Sequence, residues 1–258
     1  MRRFLIILLS FPFISLAQDL DSLFHFEQDT IGLTKVIDEA SMRWRDTVAK
    51  GNYFHIDKKI LAMTGTYRTI PELASAITGQ FSSKEDKVRA IFCWMTANIA
   101  YDCKEYHNET TVIKGPAKKK GTSKEAIAGK WEDAFFAYAT QVLKKKKGVC
   151  EGYATLFFEL CHCSGIDCEV VRGKVKRTSD GKVTVDEHAW NKVRFNDEWY
   201  YLDVCWASGT VDEKVTRFTR KLNNYYYITP LDRPYPTHFD HERKTRKRNE
   251  LVGNAEEE

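Results

Sequence analysis

Lys147-Gly148-Val149-Cys150-Glu151-Gly152-Tyr153-Ala154 places a cysteine where a loop turns into a helix, and the fold follows from that placement. Downstream, Tyr153, Leu156, Phe157, Leu160, Cys161 and Ser164 recur at three- and four-residue spacing, the period of a helix with one face in a core. Gly165 follows as a stop signal. Cys150 is therefore expected in the first turn of a buried helix. Backbone N–H groups there lack intrahelical partners, and the dipole presents its positive end. Both favour a thiolate, and the same N–H groups suit a developing oxyanion. Gly148 and Gly152 are read as room for a substrate or a neighbouring strand. Most buried cysteines are small apolar fillers; what lies downstream separates Cys150 from that background.

After Gly165 the period changes from helix to strand. Cys168 to Lys176 reads as a strand, and Arg177 to Asp186 as a polar connection with a turn signal at Ser179-Asp180-Gly181. His188 to Phe195 and Glu198 to Trp206 read as two further strands around Asn196-Asp197, a dipeptide suited to a two-residue hairpin. In that register Phe195 faces Glu198, and Asp203 falls opposite Trp190. Asp203 is then one diagonal step from His188 on the same sheet face, about 7–8 Å away at Cα. A thiol, an imidazole and a carboxylate thus follow in chain order. They are a nucleophile, a base to take its proton and a group to orient that base.

These stretches resemble the transglutaminase-like superfamily of papain-type folds, and within it the kyphoscoliosis-peptidase-like branch. GVCEGYA is similar to the nucleophile motif at Cys150, EHAWNKV to the histidine motif at His188, and WYYLDVCW to the aspartate motif at Asp203. Val88 to Asp102 resembles the upstream helix of the branch, and Tyr225 to Pro230 with Thr237-His238-Phe239 its closing segment. Cys205 departs from the usual threonine, and Ala207-Ser208-Gly209 replaces part of a glycine-rich stretch. The resemblance covers about residues 80–240. It implies an α+β fold in which the nucleophile helix packs on an antiparallel sheet carrying His188 and Asp203. It also implies acyl chemistry on amides, by hydrolysis or by transfer to an amine.

Around this core the chain divides into a leader, 1–17, a partly helical segment, 18–80, the transglutaminase-like domain, 81–240, and a charged tail, 241–258. Ser83 to Asp86 reads as a helix cap for residues 85–99. Residues 103–130 read as an inserted loop that covers the cleft. Trp131, Phe135, Tyr138, Ala139 and Val142 form an aromatic stripe expected in the core. The formal charge of +4 is too mild to imply nucleic acid. The Lys118–Lys120 and Lys144–Lys147 runs suit a solvated loop and a helix C-terminus.

The leading function is a thiol peptidase or amidase acting on protein or peptide substrates through Cys150, His188 and Asp203, with no cofactor or metal required. Tyr101 and Trp206 are candidate second oxyanion donors. The alternatives are a catalytically silent protein-binding module and a cross-linking transglutaminase. Seven cysteines, an odd number, suit one reactive thiol with six that pair or stay buried. Cys161 and Cys163, two apart on one helix, point to different sides.

Met1-Arg2-Arg3, the apolar run Phe4 to Ser15 and the small-residue site Ser15-Leu16-Ala17 form an export leader pattern, and Pro12 interrupts a run too short for a lasting membrane span. The mature chain is expected outside the cytoplasm, periplasmic or secreted, with no stable membrane insertion. Intact-mass analysis of the natural protein should give a chain starting near Gln18. A cytoplasmic product retaining Arg2 and Arg3 would contradict export.

Overall fold

Ser83 sets the first long helix by accepting a hydrogen bond from the Asp86 N–H at 3.0 Å, which satisfies one of the donors a helix start leaves open. The computed structural model describes residues 53–108, 124–179 and 182–240. The leader, residues 18–52, the Lys118–Lys120 run and the tail after residue 240 lie outside them. Three helices come first: α1 (Phe54–Leu61), α2 (Ile70–Thr78) and α3 (Lys84–Asn98). From Val88 to Thr96 every residue of α3 is buried, including Arg89. That guanidinium grips Asp57 of α1 through two nitrogens at 2.8 and 2.6 Å, donates to Asn224 at 2.9 Å and lies over the Tyr53, Phe92 and Tyr227 rings. Burial works against its charge, and the Asp57 bonds and charge outweigh it. One paired cation therefore ties α1, α3 and the 224–226 turn together.

Next come β1 (Ala100–Tyr101), α4 (Cys103–His107), α5 (Lys124–Lys145), β2 (Lys147–Gly148) and α6 (Cys150–Cys163). β1 and β2 pair in parallel with Tyr101 beside Gly148. The chain then forms β3 (Asp167–Ser179), β4 (Lys182–Phe195), β5 (Glu198–Leu202), α7 (Val204–Ser208), the small hairpin β6 (Gly209–Val211) and β7 (Phe218–Arg220), β8 (Thr229–Pro230) and β9 (His238–Asp240). The main sheet is antiparallel in the order β8-β5-β4-β3-β9. α6 packs across β3 and β4, and Leu156, Phe157 and Leu160 share one core with Val171, Trp190 and Val193. This is the expected α+β arrangement. Among the described residues no helix is long and apolar enough to cross a membrane.

The hairpin register is as the turn chemistry predicts. Asn196 and Asp197 both have positive φ, 50° and 62°, and Phe195 pairs with Glu198. Four details differ. β5 ends at Leu202 rather than running to Trp206, because the Asp203 side chain accepts the Trp206 N–H at 2.9 Å and starts a helix. β3 and β4 extend as a two-stranded arm through the stretch read as a polar connection, where Arg177 Nε donates to Asp186 at 2.6 Å. The arm has no core to face at its tip: Val183 and Val185, which alternate with polar residues, are exposed. Residues 103–130 are not a loop at either end, since Asp102 caps α4 and α5 already runs from Lys124; residues 109–123 lie outside the described ones. The aromatic stripe of α5 is core only from Ala139 on; Trp131 is exposed, with Phe135 and Tyr138 half-buried.

Gly173 of β3 sits between His188 of β4 and Asp240 of β9. A Cβ there would run into the Phe239 carbonyl and the Trp190 ring at 2.7 Å, so only glycine lets β9 close against β3. Gly173→Ala is expected to cost about 1–3 kcal/mol in urea unfolding, since the obstructing atom is backbone. An unchanged midpoint would contradict this.

Candidate active site

Cys150 is the first residue of α6, after Val149 in extended conformation. The turn is held by close packing. A Cβ on Gly152 would lie 2.9 Å from Val142 and 3.2 Å from the Tyr138 hydroxyl, and Gly148 meets the same valine. The side-chain space at these glycines is taken by α5 rather than by a substrate, and the expected neighbouring strand is β1, which pairs beside Gly148. Glu151, next to the thiol, pairs with Arg172 of β3.

His188 lies on β4 and is buried, with its ring stacked on Trp190 and tilted against Trp206. Its Nε2 donates to Asp203 Oδ2 at 2.7 Å. Nδ1 is the ring nitrogen not engaged by Asp203, and Cys150 lies near enough to favour the charged ring. Asp203 is wholly buried. It reaches His188 as the cap of α7 rather than as a strand residue, because the β4–β5 ladder ends at Asn191–Leu202. Its Oδ1 takes the Trp206 N–H, and its Oδ2 also takes Nε2 of a second histidine, His238, at 3.1 Å.

The charges follow from these bonds. Burial opposes an imidazolium at His188, but the Asp203 charge and hydrogen bond, joined by Cys150, overcome it and raise the ring to about 10. Burial also opposes the Asp203 carboxylate, yet His188 and His238 hold it well below its ordinary range. At His238 burial wins over the Asp203 contact, and His188 adds to it, bringing the ring down to about 4.

Cys150 and His188 open on a cleft of about 310 Å³. Tyr106, Val211, Val215 and Phe218 give it an apolar wall, and Glu105, Arg177, Asp186 and Glu187 give it charge. Tyr101 and Trp206 both line it, Tyr101 with its proton held by burial and by Cys205 and Cys150 nearby. Cys205, fully buried, has its thiol pushed up by burial and by Asp203. All seven cysteines are unpaired; Cys161 is buried and Cys163 exposed. His188, Asp203 and His238 offer ligand atoms within 4.8 Å of one another. A cation among them would displace the protons both rings donate to Asp203, so the set fits a hydrogen-bond network better than a metal centre.

Sequence reasoning missed His238. It lies 35 residues beyond Asp203 in a Pro-rich segment without periodicity, and only the return of β9 to β3 brings it in. The resemblance of Thr237-His238-Phe239 to the family's closing segment marks the stretch but gives the ring no role; in the structure Thr237 Oγ1 lies 3.0 Å from His238 Nδ1.

The transglutaminase-like superfamily model matches residues 71–204. Kyphoscoliosis peptidase of Mus musculus is 31% identical over 162 residues, 61% of this chain and 21% of that protein. The Homo sapiens protein is 28% identical over 164 residues, 62% of this chain and 21% of its own length. The chain thus spans about a fifth of these relatives. The periplasmic domain of TgpA from Pseudomonas aeruginosa superposes with a TM-score of 0.34 at 19% identity, covering 58% of this chain and 46% of that one.

The two histidines give stability opposite pH slopes. His188 binds its proton more tightly folded than unfolded, so its contribution is complete below about pH 6.5 and is lost as pH rises toward about 10. His238 is held down, so its contribution is present above about pH 6.5 and is lost as pH falls toward about 4. Urea midpoints should peak near pH 6.5. His188→Gln should flatten the alkaline side and His238→Gln the acidic side. A midpoint that climbs steadily from pH 6.5 to 9 would show that His188 carries no charge in the fold.

Proposed function

Because the chain belongs to the transglutaminase-like superfamily, we propose that it is an exported thiol enzyme that hydrolyses protein or peptide amide bonds through Cys150, His188 and Asp203. The observation that carries this is the buried His188–Asp203 bond of 2.7 Å beside a cleft that Cys150 lines. Export rests on the leader pattern of residues 1–17.

In this mechanism Cys150 and His188 form a thiolate–imidazolium pair. The thiolate attacks the amide carbonyl carbon. Negative charge on the carbonyl oxygen is met by N–H groups at the start of α6 and by Tyr101 or Trp206 from the cleft wall. The imidazolium gives its Nδ1 proton to the departing amine, the C–N bond breaks, and a thioester remains on Cys150. Neutral His188 then takes a proton from water as the oxygen attacks the thioester. Collapse of that adduct releases the acid and restores the ion pair. Asp203 stays ionised throughout; its work is to fix the ring and balance its charge. The apolar and aromatic cleft wall suits an extended peptide segment, and water resolving the thioester makes the reaction a hydrolysis.

The test is a peptide library incubated with wild type and variants and read by mass spectrometry. Cys150→Ser should nearly abolish cleavage, because an alcohol is not ionised beside His188. His188→Ala should lose about 10²–10⁴-fold. Asp203→Asn should be less severe, with the ring still placed but its charge unsupported. If Cys150→Ser cleaved as fast as wild type, the thiol mechanism would be wrong. Products joined at lysine rather than cleaved would replace hydrolysis with amine transfer.

A further inference from the structure

We propose that His238 is a positioning residue for the same reaction: as a neutral imidazole clamped by Thr237, it donates from Nε2 to Asp203 Oδ2 and holds the carboxylate in the orientation that His188 requires. The proposal rests on the reading of Cys150, His188 and Asp203 given above.

The tautomer follows from the partners. Asp203 Oδ2, 3.1 Å from His238 Nε2, is a carboxylate oxygen and only accepts, so Nε2 carries the proton. A neutral ring then leaves Nδ1 as an acceptor, and the Thr237 hydroxyl 3.0 Å away donates to it. Both ring nitrogens are used. An imidazole wanted only for bulk would not need either bond.

The surroundings keep the ring neutral. Trp190 and Trp206 stand 4.9 Å from it at their centroids, Tyr235 5.1 Å and Tyr226 6.1 Å, which leaves little room for water. The titratable and charged groups facing it are His188 from β4, Asp203 at the start of α7, Tyr226 from the 224–226 turn and Tyr235 from its own segment. His188, 5.5 Å away, carries the positive charge of the cluster and repels a second one.

The effect on Asp203 is geometric. With Trp206 N–H on Oδ1 and His238 on Oδ2, the carboxylate cannot swing away from His188 when the ring loses its charge during turnover.

The test is alkylation of each cysteine by iodoacetamide between pH 5 and 9, followed by peptide mapping. Cys163, exposed on the same helix, serves as an internal reference. Wild-type Cys150 should react far faster than Cys163 at pH 6. His238→Phe should lower the Cys150 rate at pH 6 about tenfold, the size expected for losing a hydrogen bond to a charged group, and recover toward pH 9. His238→Gln, whose amide N–H reaches nearly the same point, should restore most of the rate. An unchanged Cys150 profile in His238→Phe would overturn the proposal, as would a His238→Gln variant as slow as the phenylalanine one. If His238→Phe does not fold, Thr237→Val carries the test. Without the hydroxyl, Nδ1 can take the proton and Asp203 loses its donor, so the same acid-side loss is expected and its absence overturns the proposal. Should wild-type Cys150 itself be no faster than Cys163 at pH 6, it is the underlying thiol mechanism that fails.

Discussion

Asp203 is a carboxylate shut away from the surface, and the site is organised by the need to satisfy it. Burying an ionised carboxylate without partners costs far more than a domain can spare. Here it takes three donors, from the Trp206 backbone, His188 and His238. One is local and two come from other elements of the chain. α7 must start at Asp203, β4 must turn His188 inward, and β9 must return to β3. Gly173 allows that return, because no side chain stands between β3 and the Phe239 backbone. The two rings on Oδ2 are driven apart in charge, one toward imidazolium and one toward neutrality, since a single carboxylate balances one cation.

A second constraint places the sulfur. α6 approaches α5 so closely that Gly148 and Gly152 are needed against Val142. The parallel pairing of β1 with β2 then lays Tyr101 beside Gly148, two residues before Cys150. Cys150 and the cleft wall are thus fixed by helix packing, whereas the histidines and carboxylate are fixed by the sheet. α6 lies across β3 and β4, so the two arrangements meet in one core, and Cys150 and His188 line the same cleft.

Features governed by short-range rules were readable from sequence. The α6 periodicity and its Gly165 stop, the Ser83 cap and the Asn196-Asp197 turn each depend on a few neighbouring residues, and the hairpin register follows from that turn. Features decided by competition or by distant contacts were not. The Trp199-Tyr200-Tyr201 run favours a strand so strongly that it hid the capping role of Asp203. The β3–β4 arm was hidden by its polar residues and the Ser179-Asp180-Gly181 turn signal, since it has no core to face and its Val183 and Val185 stay exposed. His238 has no periodic context at all, and its meaning appears only when β9 lies beside β3. The α5 stripe looked like core because helical spacing reports a shared face, not what covers it.

The central claim is that one buried carboxylate holds a charged and a neutral histidine side by side. Nitrogen-15 NMR of the histidine-labelled protein at pH 7 tests it most directly. His188 should show both ring nitrogens protonated, and His238 should show a single neutral tautomer with its proton on Nε2. A neutral His188, or a His238 protonated on Nδ1, would contradict the account.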